Sequence, residues 1–135
     1  MALQASVTVR NAILDAIETA IGTQPFIDLR TGAQPADCAT ADAGTELSHT
    51  QLPSDWMQGA SGGTKAKSVA AWTGTGAAAG TAGHFRVKES TDTNCHLQGS
   101  VTATSGGGQM ELDNVVIASG QGITFNTFTL TAPNA

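Results

Sequence analysis

Three histidines, His49, His84 and His96, and two cysteines, Cys38 and Cys95, are the side chains best suited to hold a metal or attack a substrate. A zinc site needs at least three ligands brought together, usually announced by short-range Cys or His spacing. The histidines fall in separate strand-like segments with no such spacing. Cys95 and His96 are adjacent and should point to opposite faces of their strand, so they do not form a thiolate pair. Asp37, Asp42, Glu46 and Asp55 are the carboxylates closest to a calcium set, yet they lack the spacing of a calcium-binding loop. They read as a solvated acidic rim.

Other local patterns lead to the same place. Gly59-Ala60-Ser61-Gly62-Gly63 lacks the Gly-x-Ser-x-Gly spacing of a nucleophile elbow and precedes no helix. Gly106-Gly107-Gly108 and Gly120-Gln121-Gly122 lack the Lys-Ser/Thr sequel of a phosphate loop, and hairpin turns account for them. No catalytic, cofactor-binding or metal site is expected, and the chain is read as a non-enzyme without cofactors. Cys38 and Cys95 are read as one loop cysteine and one buried strand cysteine, both reduced, with a bridge between them as the alternative.

The elements that position these residues follow from periodicity. Over residues 6–21, Val9, Ala12, Ile13, Ala16, Ile17, Ala20 and Ile21 recur at helical spacing, with Arg10, Asn11, Asp15, Glu18 and Thr19 largely opposite. The pattern predicts one amphipathic helix docked by its Ile13 and Ile17 face, capped by Ser6 or Thr8 and ended by Gly22. From residue 25 to 131 the period changes to two. Strands are expected at 26–30, 45–52 and 65–72, with a loop at 33–44 and a turn at 53–57 that plugs Trp56 and Met57 into the core. The glycine- and alanine-rich stretch 73–83 reads as a mobile surface loop or an extended arm.

In the second half, Phe85 and Val87 alternate with Arg86 and Lys88. Cys95, Leu97, Val101 and Ala103 alternate with polar residues, and Gly99 marks a bulge or a point of close packing. Ile123 and Phe125 fall on one face of the last strand and Phe128 and Leu130 on the other, so that strand is either bulged near Asn126 or covered on both sides. The expected fold is mainly β: one domain over residues 1–135, an antiparallel β-sandwich of jelly-roll type with one N-terminal α-helix.

Composition narrows the partners. Alanine, threonine, glycine and serine make up nearly half of the 135 residues, 13% are charged and the formal net charge is −5. An acidic chain with scattered basic residues is not expected to bind nucleic acid. Lys65, Lys67, Arg86 and Lys88 are the one local concentration of positive charge, read as solvated outer faces of strands. No apolar run reaches membrane-spanning length and no signal peptide is recognised, so no membrane partner is expected and synthesis in the cytoplasm is. Few aromatics imply a thin core of Val, Ile, Leu, Ala and threonine methyls, with stability supplemented by self-association into a dimer or higher oligomer.

Five stretches carry a resemblance. They are Arg10-Asn11-Ala12-Ile13-Leu14-Asp15-Ala16-Ile17, Leu52-Pro53-Ser54-Asp55-Trp56-Met57, Gly80-Thr81-Ala82-Gly83-His84-Phe85-Arg86, Cys95-His96-Leu97-Gln98-Gly99 and the ending Phe128-Thr129-Leu130-Thr131. Together they resemble small virion proteins of tailed bacteriophages, most of all the cement or decoration proteins of podophage capsids. Members of that family often carry a tyrosine in the first strand, where this chain has Leu29-Arg30-Thr31-Gly32. The resemblance implies a capsid cement protein on the outside of the head, made in the host bacterial cytoplasm, bridging and stabilising subunits of the phage major capsid protein. The alternative is a tail- or fibre-associated virion protein that binds host-surface carbohydrate. That role would use exposed aromatic platforms, and the two tryptophans, Trp56 and Trp72, are read as core instead.

Overall fold

The computed structural model describes residues 3–133. Among these residues a single helix, α1 (Val7–Ile21), precedes nine strands: β1 (Phe26–Thr31), β2 (Glu46–Gln51), β3 (Thr64–Ala66), β4 (Thr73–Thr75), β5 (Gly80–Lys88), β6 (Cys95–Ala103), β7 (Met110–Leu112), β8 (Val116–Ile117) and β9 (Gly122–Thr131). The architecture is mainly β, a curled sheet with the order β2-β1-β5-β6-β7-β9-β3, to which β4 adds along β9 and β8 along β5. The expectation of an antiparallel sheet needs one correction, because β6 and β7 pair in parallel. The Gly106 to Gly108 turn places Gln109 so that its side chain accepts from the Ser100 N–H, and the chain then runs beside β6 in the same direction.

The helix begins where Ser6 accepts a hydrogen bond from the Val9 N–H at 3.3 Å, and it ends at Gly22, whose φ of 87° is comfortable only for a residue without a Cβ. Its docking face differs from the expected one. Arg10, Leu14 and Ile21 are buried and Ile17 is partly so, whereas Val9 and Ile13 remain about half exposed. Polar pairing sets this rotation. Arg10 donates from Nε and Nη2 to the Ala132 carbonyl at 3.3 and 2.9 Å, Asn11 accepts from the Gly63 N–H, and Asp15 and Glu18 hold Lys65 Nζ at 2.7 and 2.8 Å. With the Val9 and Ile13 face turned inward these partners would be left unpaired beside the sheet, a larger loss than the exposure of Val9 and Ile13. Lys65 is therefore no solvated outer-face lysine, since its side chain is 2% exposed.

The core is built around aromatic rings rather than aliphatic filling alone. Trp56 and Met57 plug inward as expected, and the Trp56 indole N–H donates to the Gly22 carbonyl at 3.0 Å, which ties the helix end to the sheet. Trp72 lies 6.2 Å from Trp56, 6.4 Å from Phe125 and 5.4 Å from Phe128, whose ring meets Phe85 edge-on at 5.2 Å. Phe125 and Phe128 share this core because the β7/β9 register slips there: Glu111 faces Thr127 and Leu112 faces Phe125, so Asn126 is the extra residue of a bulge.

Two segments depart from expectation. The strand foreseen over 65–72 stops at Ala66, and the chain turns with Val69 almost fully exposed before Trp72 re-enters the core. The 73–83 stretch forms β4 and the start of β5 instead of a free loop. Its small residues permit close approach. A Cβ on Gly74 would collide with the Thr50 and Ser48 hydroxyls of β2, so the curled sheet closes there through a bare backbone. Gly99 plays a similar part in β6, where a Cβ would press on the Phe85 ring.

Gly74→Val is expected to destabilise the fold by about 1–3 kcal/mol through overpacking. Gly122→Ala, at a position with open space around it, should change stability by less than about 0.5 kcal/mol. Urea denaturation of the two variants checks the contrast.

Candidate functional site

Strand β5 is buried on both faces. Phe85 and Val87 point into the core, and His84 and Arg86, each 1% exposed, are covered on the opposite face. The cover over Arg86 is the 33–44 loop. Arg86 donates from Nη1 to the Thr40 carbonyl and to Asp42 Oδ1, at 2.9 and 2.7 Å, and from Nη2 to the Cys38 carbonyl at 2.9 Å. Gln98 on β6 adds a bond to the Pro35 carbonyl at 2.7 Å, and Asp37 turns the loop by accepting from the Thr40 N–H at 2.8 Å. A guanidinium removed from water requires such partners, and here the loop's own carbonyls provide them.

Around Arg86 the strand registers gather further charge. Asp28 of β1 faces His49 of β2 on one side and Arg86 of β5 on the other. The Asp28 side chain is fully buried and binds His49 Nδ1 at 2.6 Å through Oδ1, while Lys88 Nζ lies 3.2 Å from Oδ2. Lys88 also reaches Asp42 at 3.0 Å and Asp92 at 3.6 Å, and Arg30 joins Asp42 and Glu46, each at 3.2 Å. The His49 ring stacks on Phe26 with centroids 4.5 Å apart and planes 8° from parallel, and its Nε2 faces Asp92 at 3.6 Å. A hollow of about 410 Å³ opens beside this cluster, lined by Asp42, Arg86, Lys88, Asn94 and the two cysteines among others.

The electrostatics follow from the pairing. Burial by itself would raise the Asp42 carboxyl, but the Lys88 hydrogen bond and the charges of Arg30, Lys88 and Arg86 hold it below the ordinary range. Burial works against the Lys88 ammonium too, and its bonds to Asp42 and Asp28 more than reverse this and raise it. Nearby, partial burial opposes ionisation of Glu89, yet hydrogen bonds from Asn94 and Thr91 bring its carboxyl down to about 2.

Three chemistries can be weighed on this geometry. Asp28 and His49 have the carboxylate–imidazole relation of a hydrolytic triad, but the distal nitrogen faces the Asp92 carboxylate, and among the described residues no hydroxyl or thiol lies within hydrogen-bond reach of the ring. One oxygen or nitrogen each from Asp28, His49 and Asp92 lies within 4.8 Å of the others, the spread of a three-ligand metal set. The Lys88 ammonium already contacts both carboxylates, so it serves as their cation. The cluster is thus arranged to hold a loop on a sheet.

The residues singled out from the sequence are dispersed differently. His84 bonds the Gly32 carbonyl at 2.9 Å and His96 approaches Glu89 at 3.4 Å, so neither joins His49. Asp37 caps its own loop, Asp42 and Glu46 enter the ion-pair cluster, and Asp55 is exposed elsewhere. Ser61 sits in a tight turn with Thr64. Arg86 and Lys88, expected on a solvated face, are both buried or nearly so, because the 33–44 loop folds over their side of the sheet. Cys38 lies in the loop and Cys95 in a strand, as read from the sequence, both half-buried and unbridged, and their sulfurs meet 2.6 Å from each other.

A second surface stands out on the far side of the molecule's helix. The rotation of α1 leaves Val9, Ala12, Ile13, Ala16 and Ala20 as an exposed apolar stripe, with Val7 and Leu3 uncovered at its start. Spacing alone pointed to these residues as an apolar face, and only the tertiary contacts turned it outward. Among the described residues, no helix is long and apolar enough to cross a membrane. No family model, curated protein or solved structure matches this chain.

Asp28→Asn should remove the buried anion shared by His49 and Lys88 and cost about 3 kcal/mol or more in chemical denaturation. Glu46→Gln, at a half-exposed partner of Arg30, should cost less than about 1 kcal/mol. The pH dependence has a defined sign. Asp42 and Glu89 have folded values below their unfolded ones, so their stabilisation is present above the ordinary carboxylate range. It is lost as pH falls through that range toward about 2, which thermal melts on an acid series would read directly.

Proposed function

We propose that the chain is a structural protein of a tailed bacteriophage, a capsid cement protein that sits on the outside of the head and bridges subunits of the major capsid protein. The observation that carries this reading is the exposed apolar stripe on a firmly docked helix. A helix tied down by Arg10, Asn11, Asp15 and Glu18 presents Val9 and Ile13 as fixed, desolvation-ready positions, which is the character of an interface centre from which charge is depleted. The buried charges fit the same role, since they are paired within the fold and serve its rigidity. On this reading the chain is not an enzyme, needs no cofactor and binds neither nucleic acid nor membrane. It works as a dimer or higher oligomer in the virion, and its curled sheet belongs to the jelly-roll class of sandwiches.

The carbohydrate-binding alternative draws less support, because Trp56 and Trp72 are 0% and 1% exposed and offer no platform for a sugar ring.

Ile13→Asp is expected to fold normally, since the position is half exposed, yet to lower occupancy on purified particles at least tenfold. Ile17→Asp, against the core, should instead destabilise the protein itself by several kcal/mol, in the manner of a buried unpaired charge. Particles lacking the protein should assemble but rupture at lower temperature. Particles that are equally robust and fail to attach to cells would replace this reading with the receptor-binding one.

A further inference from the structure

The two cysteines come from segments distant in sequence, and their side chains take no part in the ion pairs described above. Cys38 lies at the tip of the 33–44 loop, where the Asp37–Thr40 turn orients it, and Cys95 opens β6. A register slip between Val87 and Lys88 pairs Lys88 with Cys95 and brings the Cys95 side chain under the loop. The sulfurs are 2.6 Å apart, both residues are half-buried, and the Cys95 thiol also donates to the Leu97 carbonyl at 3.2 Å. Arg86 fixes the Cys38 carbonyl and Gln98 fixes that of Pro35, so the loop is held over β6 on both sides of the sulfur pair.

We propose that Cys38 and Cys95 are a redox pair that closes to an intramolecular disulfide and staples the 33–44 loop to β6 across the wall of the charged hollow. The inference is independent of the virion role. With oxidised glutathione as the oxidant, the Cys38 thiol releases its proton and the thiolate attacks one glutathione sulfur. A mixed disulfide forms at Cys38, and the expelled glutathione thiolate takes up a proton. The Cys95 sulfur, after losing its own proton, then attacks the Cys38 sulfur and expels the second glutathione. The two protein thiols together give up two electrons and two protons, and oxidised glutathione becomes two molecules of the reduced thiol. Burial, reinforced by the neighbouring Cys38 sulfur, pushes the Cys95 thiol up to about 11, so little of Cys95 is thiolate at neutral pH and closure of the disulfide quickens as pH rises.

Closing a loop between residues 38 and 95 removes conformational freedom mainly from the unfolded chain. The reduced protein should therefore be folded and the oxidised protein more heat-resistant.

The test is to incubate the full-length native protein with oxidised glutathione, quench with an alkylating reagent and weigh it. The expected product is a monomer lighter by two hydrogens that takes up no alkyl group, with a melting temperature several degrees above that of the reduced form. Cys38→Ser and Cys95→Ser should each lose both the mass change and the thermal shift. Because the mass and alkylation readings are made on the wild-type chain, a variant that folds poorly does not weaken them. Retention of two alkylatable thiols in the native protein, stable glutathione adducts on both cysteines, or a disulfide-linked dimer as the main product would each overturn the proposal.

Discussion

Burial of positive charge on the outer face of the central strand organises much of this fold. Arg86 lies on β5, the strand between β1 and β6, and is almost wholly removed from solvent. A guanidinium in that position must be surrounded by acceptors or it opposes folding. The 33–44 loop provides them through the Cys38 and Thr40 carbonyls and the Asp42 carboxylate. Once Asp42 is there, Arg30 and Lys88 are drawn to it, Lys88 also balances Asp28, and Asp28 orients His49. A loop of twelve residues without regular structure is in this way made part of the body, and the two sulfurs are brought together as a consequence.

The same principle governs the helix. Its position is decided by the polar partners that the sheet leaves unsatisfied: the Ala132 carbonyl, the Gly63 N–H and the Lys65 ammonium. Leu14 and Ile21 fill the space between those contacts. Satisfying the polar groups turns Val9 and Ile13 outward, and a surface suited to association is the result. Stability and interaction are therefore divided between two faces of one element, which lets a substitution at Ile13 act on the second without the first.

The aromatic cluster and the glycines complete the body. Trp72 contacts Trp56, Phe125 and Phe128, so a few large rings do the filling that many aliphatic residues would otherwise do. Gly74 lets β4 approach β2 closely enough for the sheet to curl over those rings. The hydrogen-bonded hydroxyls of Ser48 and Thr50, 3.0 Å apart, satisfy each other at that approach.

Local pattern determined a good deal of this. The bounds of the helix, its Gly22 end, the strands β1, β2, β6 and β9, the later half of β5 and the inward plug of Trp56 and Met57 follow from periodicity and turn chemistry, which act over a few residues. Those signals leave open the choice of Ser6 over Thr8 as cap and of a bulge at Asn126 over a strand covered on both sides. What only the tertiary structure decided are matters of covering and partnership. Alternation places Phe85 and Arg86 on opposite faces of a strand but does not tell whether the polar face meets water or a loop from fifty residues away. Helical spacing identifies an apolar stripe and a polar stripe on α1, and the unsatisfied groups of the distant sheet choose which of them is buried. The meeting of Cys38 with Cys95 likewise depends on a register slip and on Arg86 holding a loop in place, neither of which is written in the residues beside them.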